Sequence, residues 1–377
     1  MIPFNQSFIG HDEAEAVRRA IESRQLSGDG PYTKRCHEQL RGVLDGAGAL
    51  LTHSATAALE MSALLADLEP GDEVIMPSFT FVSTANAVVL RRAVPVFVDI
   101  RADTLNIDES LIEAAITPRT RAIMPVHYAG VACEMDRIMA IAQRHRLLVI
   151  EDAAQAIMAR YKGRALGTLG DMAALSFHAT KNISCGEGGA FVTRSPELAE
   201  RAEIIREKGT NRGKFFRGEV DKYSWVATGS SYLPSELNAA CLSAQLQQAE
   251  AITERRLRLW DRYHAAFEDE ERAGRWRRPV VPAECQHNGH IYYLLLPDLA
   301  ARTAFIAKLK AQGITTTFHY VPLHGVEHAA ACSRRGSDLS RTEQLSERLV
   351  RLPLWPGLEE RIEAVIEAAV GAVRRLA

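Results

Sequence analysis

Between about residues 48 and 195, short runs of β-branched and aliphatic residues alternate with stretches of helical periodicity. The run 49–52 precedes a helix-like stretch at 55–68, 73–76 precedes 84–90, and 94–98 leads to a turn and helix around 108–116. The run 121–125 precedes 134–145, and 147–150 passes directly into Glu151 and Asp152. Two further strands are expected at 172–177 and 189–193, with a glycine-rich turn between them and a helix at 196–208. Continuous apolar strands separated by helices predict βαβ units and a mostly parallel sheet buried on both faces.

Beyond residue 235 the pattern changes. One or two helices are expected to about residue 271, then a strand at 291–296, a helix at 302–312, a strand at 315–320 and helices near both ends of 342–376. The expected architecture is α/β, with a large domain over 1–240 and a connecting helix and smaller α+β domain over 241–377. In open α/β sheets ligands bind beyond the carboxyl ends of the strands. The segments 52–56, 77–81, 125–128, 152–155 and 176–181 all follow predicted strands, and are expected to converge on one crevice.

Composition narrows the function classes. The 377 residues are 47% hydrophobic and 24% charged, as in ordinary globular proteins, with a formal net charge of −2. That balance gives no reason to expect nucleic acid or an anionic membrane as partner. Six cysteines are scattered without a CxxC pair, so neither a disulfide framework nor a structural metal site is expected. The opening residues lack the regions of a signal peptide and no apolar run approaches twenty residues, which makes the cytoplasm the expected location.

The candidate chemistry lies in the segments after the strands. Lys181 stands five residues past Ser176, after the uncharged approach Ser176-Phe-His-Ala-Thr180 and before Gly186-Glu-Gly-Gly189. Asp152 closes an apolar strand, with Gln155 three residues on. A lysine, an acid and a hydroxyl so placed are what pyridoxal phosphate needs: a Schiff-base amine, a partner for the pyridine nitrogen and a phosphate contact. Each residue alone has a plainer reading. Lys181 could be a surface lysine, Asp152 a helix N-cap and Gln155 its capping-box partner. His53-Ser-Ala-Thr-Ala57 opens a helix with small residues, so Ala55 and Thr56 could bind phosphate, or Ser54 and Thr56 could simply cap. In Pro77-Ser-Phe-Thr-Phe-Val-Ser-Thr84, Phe81 could stack on a ring or belong to the core.

Taken in order, Ser54-Ala-Thr-Ala57, Pro77–Thr84, Pro125-Val-His127, Glu151-Asp-Ala-Ala-Gln155, Ser176–Lys181 and Gly186–Gly189 resemble the DegT/DnrJ/EryC1/StrS sugar aminotransferases. The likeness covers nearly the whole chain and implies a fold type I pyridoxal-phosphate enzyme. Leu26-Ser-Gly-Asp-Gly30, Pro125–Met135, Glu203–Arg212, Phe215–Gly218, Gly229-Ser-Ser-Tyr232 and Phe318–His324 resemble one branch of that family. That branch, the transaminases of enterobacterial common antigen synthesis, acts on dTDP-4-dehydro-6-deoxy-D-glucose.

The resemblance implies that Lys181 holds the cofactor and shuttles the proton, Asp152 pairs the pyridine nitrogen, Gln155 contacts the ring oxygen and Phe81 stacks. It gives the phosphate to Ala55, Thr56 and Ser176. Many relatives place an asparagine from the other subunit where this chain has Ser231, so a homodimer with shared sites is implied and the Ser231 contact is a departure. Gly28, Asp29, Gly30, His319, Tyr320 and His324 are the substrate-side candidates, with a turn and a strand-end cluster as their plainer readings. L-Glutamate and a dTDP-keto sugar are the implied substrates. No tyrosine has a lysine four residues on and no Gly-x-Gly-x-x-Gly or Walker loop is present, which argues against a nucleotide-sugar dehydratase or epimerase of the dinucleotide type. Two alternatives remain: an aminotransferase of the same family acting on another keto sugar nucleotide, at a C3 ketone or with a gluco product, and a non-catalytic cofactor-binding protein, against which the intact Lys, Asp, Gln and Ser set argues.

Overall fold

Continuous apolar runs, whose successive side chains point to opposite faces of the sheet and are buried on both, build the centre of the molecule. In the computed structural model, which describes residues 1–376, one sheet has eight strands. They are β1 (Gly48–Thr52), β2 (Glu73–Pro77), β3 (Val94–Val98), β4 (Thr120–Ile123), β5 (Leu148–Asp152), β8 (Met172–Ser176), β9 (Gly189–Thr193) and β12 (Arg334–Arg335). The two-residue strands β6 (Arg160–Tyr161), β7 (Arg164–Ala165) and β10 (Cys285–Gln286) form a small separate sheet. β11 (Tyr292–Leu295) pairs with β13 (Leu349–Leu352).

The large sheet runs β1-β9-β8-β5-β4-β2-β3-β12. Its neighbours pair in parallel, except that β9 lies antiparallel to both β1 and β8. Along the strands Ile75, Val96, Ile123, Ala173, Leu175 and Val192 enter one core, while Val74, Met76, Phe97, Ala122, Met172, Ala174 and Phe191 enter the other. Helix α1 (His11–Ser23) and helix α2 (Pro31–Val43) pack on helix Glu236–Gln247, and α2 also covers β1. Helix α3 (Ala55–Leu65) packs across β8 and β9, with α4 (Val82–Val89) beside it.

A further core gathers Leu259, Trp260, Tyr263, Tyr292, Leu294, Phe305, Val350 and Ile362 around the β11–β13 pair. Ile2 joins this core, and Ile2 N donates to Gly313 O at 2.7 Å. Trp355 Nε1 donates to Pro3 O at 3.2 Å, so residues 1–3 lie against the C-terminal part of the chain.

The central strands fall within two residues of their sequence expectation. The strand expected at 315–320 does not form a ladder: it is extended, but only Thr317 bridges, to Arg351, while Thr315 N donates to Ile2 O. The pairing edge there is one residue long. The strand actually formed nearby, β13, lies inside a stretch read as helical at both ends. Among the described residues no helix is long and apolar enough to cross a membrane.

Candidate active site

Every parallel strand named above delivers its next residues to the same rim, and five of those loops line one crevice of about 450 Å³. They supply Ser54, Ala55 and Thr56; Thr80 and Phe81; Val126; Asp152, Ala154 and Gln155; and Ser176, His178, Thr180 and Lys181.

The first loop makes an anion cradle. Ser54 caps α3, its Oγ accepting from Ala57 N at 3.1 Å, and Ala58 N returns to Ser54 O. The N–H groups of Ala55 and Thr56 find no protein acceptor among the described residues, and they sit at the positive end of the helix dipole. The Thr56 and Ser83 hydroxyls meet at 2.7 Å, and the Ser176 hydroxyl is buried on the same wall. Gly189 on β9 passes so close that a Cβ there would lie 2.3 Å from the Ser54 carbonyl carbon and 2.4 Å from Ala55 N.

Asp152 ends β5 buried, and its two oxygens are fixed separately. Thr84 Oγ1 donates to Oδ2 at 2.7 Å, with Thr80 hydroxyl behind it, and Ala154 N donates to Oδ1 at 3.2 Å. Beneath it Glu151 accepts from Gly167, Leu169 and Gly170 N–H groups and from His127 Nε2 at 2.8 Å. Burial pushes the Glu151 carboxyl up, but these donors win and hold it below the usual carboxylate range. Cys133 N donates to His127 Nδ1, so the neutral imidazole carries its proton on Nε2. Gln155 is oriented in the same manner: Ala129 N donates to Oε1 at 2.7 Å, leaving Nε2 to face Tyr320 OH at 2.9 Å.

Lys181 reaches into this crevice with no hydrogen bond or ion pair on Nζ among the described residues. Loss of hydration lowers its pKa from 10.5 to about 8, with the charge of Arg351 acting the same way and that of Asp152 opposing. Its surroundings are fixed by neighbours. Asn182 Nδ2 donates to Asn288 O at 2.9 Å, and the next turn back is strapped from outside, where Asn5 Nδ2 and Ser7 Oγ both donate to Ala179 O.

Several lining residues have no counterpart in the sequence reading: Phe4, Asn5, Ser83, Arg256, His290 and Arg351. Ser83 lies within the run Pro77–Thr84, but the others come from segments far apart in the chain, and no local pattern marks them. Arg256 donates to Gly289 O and His290 O, and burial lowers it to about 9. His290 Nδ1 meets Asn182 Oδ1 at 2.8 Å.

Of the substrate-side candidates, His319 and Tyr320 line the crevice, His319 Nδ1 lying 3.2 Å from Tyr128 OH. The others do not reach it within one chain. Gly30 caps α2, where Glu236 accepts from Gly30 N, Tyr32 N and Thr33 N; Asp29 pairs with Arg206; and Gly28 packs against Leu233 and Pro234. His324 is held between Ser78 Oγ at 2.6 Å and Glu343 Oε1 at 2.9 Å. Ser231 is exposed and bridges Glu207 through its backbone. Phe81 lines the mouth and is largely exposed.

A lysine without an ion partner, a carboxylate fixed by its own donors, and a helix N-terminus with open N–H groups fit pyridoxal phosphate. The sheet order and crevice belong to the fold type I transferases that use this cofactor. Residues 7–370 match the DegT/DnrJ/EryC1/StrS aminotransferase family, and the chain belongs to it. It is 34% identical over 382 residues to the spore coat polysaccharide biosynthesis protein SpsC of Bacillus subtilis, covering 99% of this chain and 97% of that protein. The crystal structure of the aminotransferase TlmJ from Streptoalloteichus hindustanus is 31% identical with a TM-score of 0.91, covering 100% of both chains. Spr1654 of Streptococcus pneumoniae, a proposed sugar aminotransferase, superposes in its PMP form with a TM-score of 0.92 at 26% identity, covering 100% of both chains. The chain is a pyridoxal-phosphate-dependent sugar aminotransferase.

Proposed function

We propose that the chain transfers the amino group of L-glutamate to C4 of dTDP-4-dehydro-6-deoxy-D-glucose, giving dTDP-4-amino-4,6-dideoxy-D-galactose and 2-oxoglutarate. The observation that carries the chemistry is the buried, unpartnered Lys181 beside Asp152 in a crevice with a phosphate cradle. The choice of sugar is supported by the longer sequence runs, 26–30, 125–135, 203–212 and 318–324 among them.

Bound in the crevice, pyridoxal phosphate supplies a carbonyl that carries the amino group between substrates and a ring that takes up an electron pair. Ala55, Thr56 and Ser176 hold the phosphate, Asp152 keeps a proton on the ring nitrogen, Gln155 Nε2 donates to the ring oxygen and Phe81 covers a ring face. Lys181 Nζ does the proton work. With its pKa near 8 it loses and regains a proton at neutral pH, removing one from the donor's α-carbon and delivering one to sugar C4. Thr84 holds the Asp152 carboxylate still while the proton moves.

The same reading makes the protein a homodimer, divided into a cofactor-binding part over 1–240 and a C-terminal part over 241–377. Support for the dimer comes from Phe216 (69% exposed), Trp225 (79%), Tyr223 and Val226, a cluster of uncovered large apolar side chains just before Ser231.

The test is an assay with L-glutamate and dTDP-4-dehydro-6-deoxy-D-glucose, with the product's amino position and C4 configuration read by NMR. An amino group at C3, or a gluco product, overturns the assignment of the sugar. Lys181→Ala is expected to lose at least about 10³-fold in turnover, and Asp152→Asn about 10²-fold with the fold retained.

A further inference from the structure

Side-chain amides tie the segment after Lys181 to two others. Asn182 Nδ2 donates to Asn288 O at 2.9 Å, and Asn288 Nδ2 donates to Gln155 O and Ile157 O at 2.8 Å each. Asn288 Oδ1 accepts from His290 N at 3.1 Å. Gly130 leaves room for this buried amide, since a Cβ there would lie 2.0 Å from Asn288 Oδ1. From the other side Arg256, on the helix Ala249–Ala266, donates to the carbonyls of Gly289 and His290. The turn 288–290 is therefore held through backbone and side chain alike, and the His290 ring that it carries lines the crevice.

This network fixes the tautomer of that ring. The Asn182 amide nitrogen is used on Asn288 O, so it is the amide oxygen that meets His290 Nδ1 at 2.8 Å, and an oxygen there requires Nδ1 to carry the proton. Nε2 then holds a lone pair, and it has no hydrogen-bond partner among the described residues. Burial keeps the ring well below the usual histidine pKa, and the charges of Lys181, Arg256 and Arg351, with His319 beside them, act the same way. The ring stays neutral and is an acceptor.

In the proposed chemistry Lys181 takes a proton from the donor's α-carbon. The electron pair stays behind, and Nζ becomes an ammonium that needs an acceptor. The two acids lining the crevice are engaged elsewhere: Asp152 with Thr84 and Ala154, Glu187 3.6 Å from His178. Nζ makes no hydrogen bond at rest, but it rides on a flexible stem, whereas the His290 ring is fixed.

We propose that His290 is a positioning residue for Lys181, its Nε2 accepting a hydrogen bond from the lysine ammonium while the proton is carried between substrates. No proton passes to the ring. This rests on the aminotransferase reading above, and the test separates the two.

Asparagine at position 290 keeps a donor for Asn182 but is too short to reach into the crevice, whereas glutamine brings an amide oxygen to the place of Nε2. In cofactor-loaded protein, His290→Asn is expected to slow exchange of the α-hydrogen of L-glutamate with D2O, read by NMR, about 10- to 100-fold. His290→Gln should restore part of the loss. Half-saturation should move less than about 3-fold, and both half-reactions should slow together in single turnovers, because Lys181 serves both. In cofactor-free protein the pH midpoint for capture of added pyridoxal phosphate should fall below about 8 in His290→Asn and return in His290→Gln, because an acceptor favours the ammonium.

Unchanged exchange, or an unmoved midpoint, in His290→Asn overturns the proposal. So does a loss confined to the nucleotide-sugar half-reaction, which would give Nε2 to a sugar hydroxyl. An equal loss in His290→Gln also overturns it, leaving the ring a structural tie to Asn182. If no keto sugar is aminated, the capture midpoint still decides the role of His290. Thermal melting identifies a variant that has merely unfolded; if that is His290→Asn, His290→Leu set against His290→Gln makes the same comparison.

Discussion

A lysine ammonium in water keeps its proton to about pH 10.5, and Lys181 gives its proton up near pH 8 because its surroundings have replaced water with few acceptors. The sign of the stability consequence follows. Below about pH 8 the charged lysine costs the cofactor-free fold its full desolvation penalty. That cost disappears as pH rises from about 8 to 10.5, where only the unfolded chain still binds the proton. Lys181→Met should therefore raise the melting temperature of cofactor-free protein at pH 7, by a margin that shrinks through that window, as calorimetry across pH would show. At this scale the sequence is informative where a residue ends or follows a strand: Lys181, Asp152, Gln155, Thr56 and Phe81 meet because the four strands β1, β2, β5 and β8 end together. It was silent on Arg256, His290, Arg351 and Phe4, which arrive from segments with no strand-end grammar. Within one chain Gly28, Asp29, Gly30, Ser231 and His324 contact Leu233, Arg206, Glu236, Glu207 and Ser78, and the expectation for Ser231 concerns the site of a second subunit.

Elements were legible in proportion to their burial. Strands β2, β3, β8 and β9 are apolar on both faces and their run lengths are bounded by turns, so periodicity and punctuation agree. β13 was missed because its four residues continue the helix Ser340–Arg348 without a break in composition, and the choice of strand is made by the partner β11. The meeting of β9 with α3 has a testable cost. Gly189→Ala would drive a methyl against the backbone of Ser54 and Ala55, and a backbone cannot swing aside as a side chain can. The variant is expected to fold with α3 displaced and to retain cofactor at least about 10-fold more weakly, since an anion site depends on the aim of its N–H groups. Equilibrium dialysis of the cofactor measures this, and unchanged retention would remove Gly189 from the cradle.

For the whole molecule, the sheet and its two faces followed from pattern alone, but the assembly did not, because no repeat or charge run advertises it. The uncovered cluster at Phe216, Tyr223 and Trp225 is where the proposed dimer should fail: Trp225→Glu is expected to give monomers by light scattering, with turnover lost. One other feature joins distant parts of the chain. Asn5 and Ser7 grip the loop before Lys181, Phe4 underlies Arg351, and Pro3 takes a hydrogen bond from Trp355, 352 positions away. Domains made on the ribosome ordinarily fold from the front as they emerge. Here Pro3 and Phe4 cannot make their contacts until Arg351 and Trp355 have been synthesised, about 350 positions later. Closing the setting of Lys181 is thus a late step of folding rather than an early one.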